Sequence, residues 1–572
     1  MAMFTFRSGP LAIGFLAAAF ALAARAQAGG FAGDTLDSQR APAAKIVVRD
    51  VADQAGVSFR YDTGSRGRHD LPEIMGGGVA LFDADGDGRL DIYLCNGGPI
   101  EPAPGKADPT CRLYLNRGDF HFEDITHRAD APGPFYALGT AVAFYDGDGR
   151  LDLFVTGWRD QRLYRNLGGA RFQDVTVRAG VSSRLWSTAA AFADLDGDGD
   201  PDLYVANYLD FDAKSPPYCA APDGRRDFCG PEDFPAQPDR LYRNNGDGTF
   251  TDVAPLAGID QPNGRGLGIA IAELTGDHRP DIYVANDGTA CWLFANRGNL
   301  KFEEIAETAG VARDGQGQAL AGMGVAVGDC DNDGLCDLVV TNFFARSTIA
   351  FQAVGRPRGT FVDATSRFGL GKCTRDVLGF GIALVDLDCD GRLDLAQANG
   401  HVLDRARLGV PAAMRPTLLH NTGERFDDVA DQAGDWFRRP IVGRGLAVGD
   451  LDDDGRPDLV VNALDAPAAL LRNLSAAGHS LALDVVDRSG RSAVGAGVRV
   501  TAGGRSQFAV VSGGTSYLST SSPVLRFGLG SARAVDEIEV RWPWREREIW
   551  TKPAQAVRGR LRLSEGTGKS AP

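Results

Sequence analysis

The sequence predicts an all-β protein: a seven-bladed β-propeller followed by a small β-sandwich-like domain. Three observations carry this reading. A nine-residue Asp-rich loop recurs between short apolar segments, and four strand-like segments accompany each copy. The one segment missing from the last copy stands at the opposite end of the chain.

The loop is clearest at Asp83-Ala84-Asp85-Gly86-Asp87-Gly88-Arg89-Leu90-Asp91. Carboxylates at positions 1, 3, 5 and 9 can converge on one hard cation, and Gly at position 6 supplies the sharp turn. The first three Asp repeat the opening of an EF-hand loop, but the fourth ligand falls at 9 instead of a Glu at 12. The flanks, Val79-Ala80-Leu81-Phe82 and Ile92-Tyr93-Leu94, are short and β-rich, so the loop joins strands rather than helices. Full copies place Asp at the same positions in Asp194, Asp196, Asp198 and Asp202; Asp329, Asp331, Asp333 and Asp337; Asp386, Asp388, Asp390 and Asp394; and Asp450, Asp452, Asp454 and Asp458. Two copies are damaged. Residues 144–152 keep Asp146, Asp148 and Asp152 but begin with Phe144, and residues 273–281 carry Thr275 at position 3 and His278 at the turn. Copies recur every 50 to 80 residues or so, the range of propeller blades with loop insertions.

Each unit then reads in order. A Gly-led apolar run enters the loop, and a strand of the type Asp202 to Asn207 leaves it. A Leu-Tyr-x-Asn strand follows, as at 113–116, 163–166 and 241–244, then a Phe-x-Asp-Val strand, as at 172–175 and 250–253. Turn residues such as Asn245-Gly246-Asp247-Gly248 separate the last two. The first three types occur seven times, whereas only six of the fourth type follow a third. Val48-Arg49-Asp50-Val51-Ala52 supplies the seventh, so an N-terminal strand is expected to complete the last blade and leave no sheet edge. The propeller is expected over residues 45–474.

These repeats resemble the FG-GAP/VCBS repeats shared with integrin α-subunit propellers. The order of parts resembles the cartilage acidic protein family in its bacterial, exported form. The likeness runs through Tyr218-Cys219 to Asn244, Ala321-Gly322-Met323-Gly324 and Ala398-Asn399-Gly400-His401-Val402. After Asn473 the Asp loops stop, and short strands are expected at 481–486, 498–501, 508–511, 524–527 and 538–542, forming a separate β domain over 478–567. Arg491 to Ala496, Ser512-Gly513-Gly514, Arg526-Phe527-Gly528-Leu529-Gly530 and Val540-Arg541-Trp542-Pro543 resemble the ASPIC/UnbV domain that ends this family.

Residues 1–26 read as a secretory signal: Arg7, an apolar run over 11–24 too short to span a bilayer, and small residues at Ala24-Arg25-Ala26. A linker over 27–44 follows, and no later segment approaches a membrane span. The expected location is secreted or periplasmic. Asp and Glu number 75 against 60 Lys and Arg, a formal charge of −15, which argues against nucleic acid as a partner. Nine Cys leave at least one thiol unpaired if every bridge is intramolecular. Cys219 and Cys229, close together in one insertion, are the best candidate pair; Cys330, Cys336 and Cys389 are either bridged or buried.

All-oxygen ligation by the five full loops points to Ca²⁺ over Zn²⁺, and loop flexibility favours it over Mg²⁺. Position 7 (Arg89, Asp200, Leu335, Arg392, Arg456) would donate a backbone carbonyl, so its side chain is free to vary. No catalytic residue and no organic cofactor site emerges: there is no nucleophile elbow, Walker loop or Cys-x-x-Cys motif, and the seven His are scattered. Arg117-Gly118-Asp119 falls where other repeats have a turn. Trp158, Tyr208, Phe211, Tyr218, Phe228 and Phe234, off the repeat pattern, are candidates for a binding surface, and the 208–239 insertion is expected to form a fixed protrusion. The sequence therefore reads as an exported, calcium-stabilised binding or scaffold protein for an extracellular or periplasmic protein or polysaccharide. The alternative is a carbohydrate-active lyase or dehydratase on the same propeller, which would need a polar cluster at the central channel.

Overall fold

The computed structural model describes residues 46–100, 110–221, 224–464, 466–551 and 559–571. The expected signal and the expected linker lie outside the described residues.

Seven four-stranded antiparallel sheets follow one another. Their first strands are Val79–Phe82, Ala137–Ala143, Ser187–Ala193, Gly266–Ala272, Val325–Gly328, Gly379–Val385 and Gly443–Gly449, the innermost of blades 1 to 7. Each contacts the next, and the last contacts the first, so the ring is closed. Val48–Asp50 completes blade 7: Val48 pairs with Asn473, Arg49 with Arg472 and Asp50 with Leu471, as the missing segment required. Second strands such as Asp202–Asn207 are buried along their whole length, because both sheet faces meet neighbouring blades. Blades 3 and 4 share Tyr204, Leu241, Ile269, Ile282 and Phe294 in one core. The Ala-Gly-Val segments after the fourth strands are one-turn helices, as at Thr176–Ala179, ended by Gly180 in the left-handed region (φ 78°).

The Asn ending each third strand has a role the repeat pattern alone does not reveal. Its Nδ2 donates to the position-2 carbonyl of the preceding blade's loop: Asn116 to Leu451 (2.7 Å), Asn166 to Ala84 (2.9 Å), Asn244 to Tyr145 (2.8 Å), Asn296 to Leu195 (3.0 Å), Asn421 to Cys330 (2.8 Å) and Asn473 to Leu387 (2.9 Å). Six blades are thus clasped to their neighbours. Blade 5 has Ala353 at this position, between Gln352 and Val354, and lacks the side chain to do it.

Beyond Asn473, His479–Val486, Leu525–Gly530 and Arg560–Ser564 form one sheet. Gly497–Ala502, Arg505–Val510, Glu537–Arg541, Arg547–Thr551 and Lys569–Ala571 form a second, and Leu481, Val498, Val540 and Trp542 lie in the core between them. The sequence suggests a separate unit here. In space this domain sits on the Asp-loop face of the ring and sends residues 512–522 into the central channel. The inner edge of an innermost strand carries unpaired backbone groups, and this segment pairs them. Leu81 N–H donates to Thr520 O (2.9 Å), Thr140 N–H to Leu518 O (3.2 Å), Ile271 N–H to Gly513 O (2.7 Å) and Val325 N–H to Ser516 O (3.1 Å). Ile382 N–H donates to Ser516 Oγ and Val448 N–H to Ser521 Oγ, both at 3.0 Å. Six blades are bonded in this way. The seventh, blade 3, is met by van der Waals contact: a Cβ on Gly514 would lie 3.1 Å from that of Ala191, so the close approach requires glycine. Tyr517 and Leu518 fill the channel among Leu138, Leu267, Met323 and Phe380, with the Tyr517 hydroxyl donating to Met75 O (3.0 Å).

The 208–239 insertion leaves the ring on the opposite face. It contains a short hairpin, Cys219–Ala220 with Arg226–Asp227, and the Cys219–Cys229 disulfide. The expected protrusion is largely folded down. Tyr208, Phe211 and Phe234 are buried in the cluster that reaches Tyr517 and Leu518, with Trp158 against them, because apolar surface this large is driven onto the channel mouth. Of these three insertion aromatics none is left to bind a partner; Tyr218, 66% exposed, is.

Candidate metal centres

In every full loop the position-1 carboxylate accepts the position-6 N–H: Gly88 to Asp83 (2.8 Å), Gly199 to Asp194 (3.1 Å), Gly334 to Asp329 (2.8 Å), Gly391 to Asp386 (2.8 Å) and Gly455 to Asp450 (2.9 Å). These Gly have φ of 87–91°, the left-handed turn the sequence assigned to them. Position 9 ties the loop to the sheet. Asp91 accepts Ala84 N–H and Asn116 N–H, each at 2.8 Å, and Asp202, Asp337, Asp394 and Asp458 do the same in their blades.

Position 3 is different. Asp85 Oδ1, Asp331 Oδ1, Asp452 Oδ1 and both oxygens of Asp388 are buried without a hydrogen-bond partner. Ligand atoms of Asp83, Asp85 and Asp91, of Asp194, Asp196 and Asp202, and of Asp329, Asp331 and Asp333 each converge within 4.8 Å of one another. Burial, with repulsion from neighbouring carboxylates, pushes Asp91 up to about 8 and Asp329 and Asp337 to about 7. Unpartnered, crowded carboxylate oxygens with mostly oxygen neighbours are a donor set that fits a hard dication.

Position 7 is more than a carbonyl donor. Arg89, Arg150, Arg279, Arg392 and Arg456 each donate Nε to the carbonyl of their blade's clasping Asn at 2.7–3.0 Å and bridge to the position-5 Asp. Only Asp200 and Leu335 depart from Arg here. The side chain locks loop to sheet, so the expectation that it varies freely is corrected.

The residue preceding the clasping position on the third strand, which sequence reasoning overlooked, reaches the loop in blades 2, 3, 5, 6 and 7. Arg165 pairs with Asp146 and with Asp148 (3.1 Å). In damaged blade 2 a guanidinium therefore stands against the loop carboxylates, as one does in full blades 3 and 7. Arg243 reaches Asp196 (3.2 Å) and Asp198 (3.5 Å), Arg472 reaches Asp452 (2.6 Å), and Gln352 donates to Asp331 (2.7 Å). In blade 6 the position holds His420, and in blades 1 and 4 Leu115 and Ala295. Damaged blade 4 uses Glu273 Oε1 to accept Asp277 N–H (3.0 Å), while His278 adopts φ 66° where glycine is favoured.

The C-terminal domain rests on these loops. Arg491 pairs with Asp200 (2.8 Å) and Arg526 with Asp450 (3.1 Å), Trp544 Nε1 donates to Asp194 O (3.2 Å), and Gly530 N–H donates to Cys389 O (3.0 Å). Elsewhere, Arg117-Gly118-Asp119 forms a turn, with Gly118 N–H on Asn116 Oδ1 (3.0 Å) and Arg117 paired to Glu123 (2.7 Å). His401 is buried beside Phe343 and Phe344, its Nδ1 accepting Leu403 N–H (2.9 Å), and burial lowers its pKa.

Residues 83–155, 145–205, 222–284 and 273–340 match the FG-GAP-like repeat family, and residues 486–570 match ASPIC and UnbV. The chain is similar to cartilage acidic protein 1 of Homo sapiens, 28% identical over 301 residues, or 51% of this chain and 43% of that protein. The chain thus spans less than half the length of this curated relative. Among solved structures, an Agrocybe aegerita lectin that recognises non-reducing terminal N-acetylglucosamine is similar at 19% identity and a TM-score of 0.39, over 68% of this chain and 87% of that one. YCF48 bound to a D1 peptide is similar at 9% identity and a TM-score of 0.40, over 73% and 95%. No helix among the described residues is long and apolar enough to cross a membrane.

Proposed function

We propose that this chain, an FG-GAP repeat protein of the cartilage acidic protein family with a C-terminal ASPIC and UnbV domain, is an exported, calcium-stabilised binding or scaffold module. The binding reading is supported above all by one observation: the central channel, where a polar cluster would have favoured a carbohydrate enzyme, is filled by Tyr517 and Leu518 of the same chain. Ligand recognition is then left to the outer surfaces. On the disulfide-closed insertion, Tyr218 lies exposed with the Arg226 guanidinium 5.9 Å from its ring centroid, a flat amphipathic surface suited to a protein or polysaccharide. The unpartnered position-3 oxygens of Asp85, Asp331, Asp388 and Asp452 support cation binding in four of the full loops, the shared Asp spacing extends the calcium reading to the fifth, and the disulfide is compatible with an oxidising compartment.

The test is capture of glycans and surface proteins by the immobilised full chain with millimolar calcium and with chelator, using Tyr218→Ala as control. Calcium-dependent capture that the variant weakens is expected. Turnover of a polysaccharide by the purified protein, or capture indifferent to both changes, would refute the reading.

A further inference from the structure

Blade 6 differs chemically from the other full loops. Its third strand, Thr417–Asn421, presents His420 where blades 1 and 5 have Leu115 and Gln352. One ligand atom each from Asp388, Asp390 and His420 lies within 4.8 Å of the others. Asp388 is 1% exposed, and neither of its carboxylate oxygens has a hydrogen-bond partner among the described residues. A buried carboxylate with no hydrogen-bond partner is strongly unfavourable unless a positive charge, an imidazolium or a metal ion, stands beside it. His420 Nδ1 lies 3.0 Å from Asp394 Oδ1 and 3.9 Å from Asp388 Oδ2, so the ring is held against the cluster. Asp386 is meanwhile occupied by Asp390 N–H (3.0 Å) and Gly391 N–H (2.8 Å), which leaves Asp388 as the uncommitted carboxylate; an ion bound there would take over the contacts that His420 Nδ1 makes with Asp394 and Asp390 with Arg392.

Nitrogen ligation changes which ion is favoured. Calcium takes oxygen ligands almost exclusively, whereas imidazole together with carboxylate suits borderline dications of the zinc class. We propose that the blade 6 loop is a zinc-class site, held by His420, Asp388 and Asp390, in a ring whose other full loops take calcium. The inference rests on the reading of the loops as cation sites and assigns one of them a different ion. It also gives His420 a role that the oxygen-only pattern of the sequence does not provide.

Zinc binding to the full chain is measured by titration calorimetry in excess calcium, with Co²⁺ absorption as a second readout of nitrogen ligation. The expected result is one zinc ion per chain that calcium does not displace. Zinc affinity should fall roughly 100-fold in both His420→Leu and His420→Gln, as ligand loss requires. These substitutions install the residues of sister blades, so both variants should keep the parental circular dichroism and their calcium uptake. Unchanged zinc affinity in the folded variants, or no zinc bound by a parent that does take up calcium, overturns this inference alone. A parent that takes up neither ion overturns the cation reading of the loops as well.

Discussion

Replacing Asn296 by Ala tests the inter-blade clasp directly. The Asn296 side chain is fully buried. It donates to Leu195 O (3.0 Å) and Pro280 O (3.1 Å) and accepts Gly298 N–H (2.9 Å). At about 1 kcal/mol net per bond the loss starts near 3 kcal/mol, and carbonyls stranded without a donor raise it to about 5 kcal/mol. Against a net stability of about 5–15 kcal/mol for a typical domain, that is a large fraction. With a urea slope of about 3 kcal/mol per molar, the unfolding midpoint should fall by about 1 M or more. Asn245→Ala, in an exposed turn one residue beyond the corresponding Asn of blade 3, is the control and should shift the midpoint little. The reverse change, Ala353→Asn, supplies the missing side chain in blade 5 and should gain about 1 kcal/mol. Equal midpoints for Asn296→Ala and the control would show that the clasp contributes nothing and would refute the reasoning.

Calcium removal should lower the melting temperature: the four full loops outside blade 6, at tenfold excess over their dissociation constants, supply about 6 kcal/mol together. Because Arg491, Arg526 and Trp544 contact the loops, the near-ultraviolet signal of the C-terminal tryptophans should move with the propeller, and a scan indifferent to chelator counts against the sites. Tyr517→Ala should cost about 3–5 kcal/mol as a buried aromatic truncation, and Tyr517→Phe about 1 kcal/mol for the lost bond to Met75 O; similar small losses in both by urea titration would mean the channel segment is only loosely held. Burial raises the Asp239 carboxyl to about 7, despite bonds from Tyr204 and Asn207, above its unfolded value of about 3.9. Its contribution is therefore full below about pH 4 and lost as pH rises through 7. Asp239→Asn should make the fall in stability between pH 4 and 7 shallower, and a parental slope in that variant would contradict this.

The repeat and its strand order were legible in the sequence because each is local: a loop needs its Asp spacing and its turn Gly, and a strand needs its apolar alternation; the closure by Val48–Asp50, though long-range, followed from counting which segment type was one short. The same holds for the candidate metal residues, whose spacing within nine positions brings them together whatever surrounds them, and for Cys219 and Cys229. Other features joined residues far apart in the chain, and only the tertiary structure decided them. Asn296 reaches Leu195, His420 meets Asp388 across blade 6, and Arg165 occupies the carboxylates of a damaged loop, each pairing set by sheet register rather than by spacing. The aromatics of the 208–239 insertion looked like a free surface until the channel mouth gave them somewhere to be buried. Least predictable was the segment 512–522. Nothing in its serines and glycines announces a role, yet seven inner strands leave a ring of unpaired backbone groups, and a small, polar, flexible stretch is what can enter the channel and pair them.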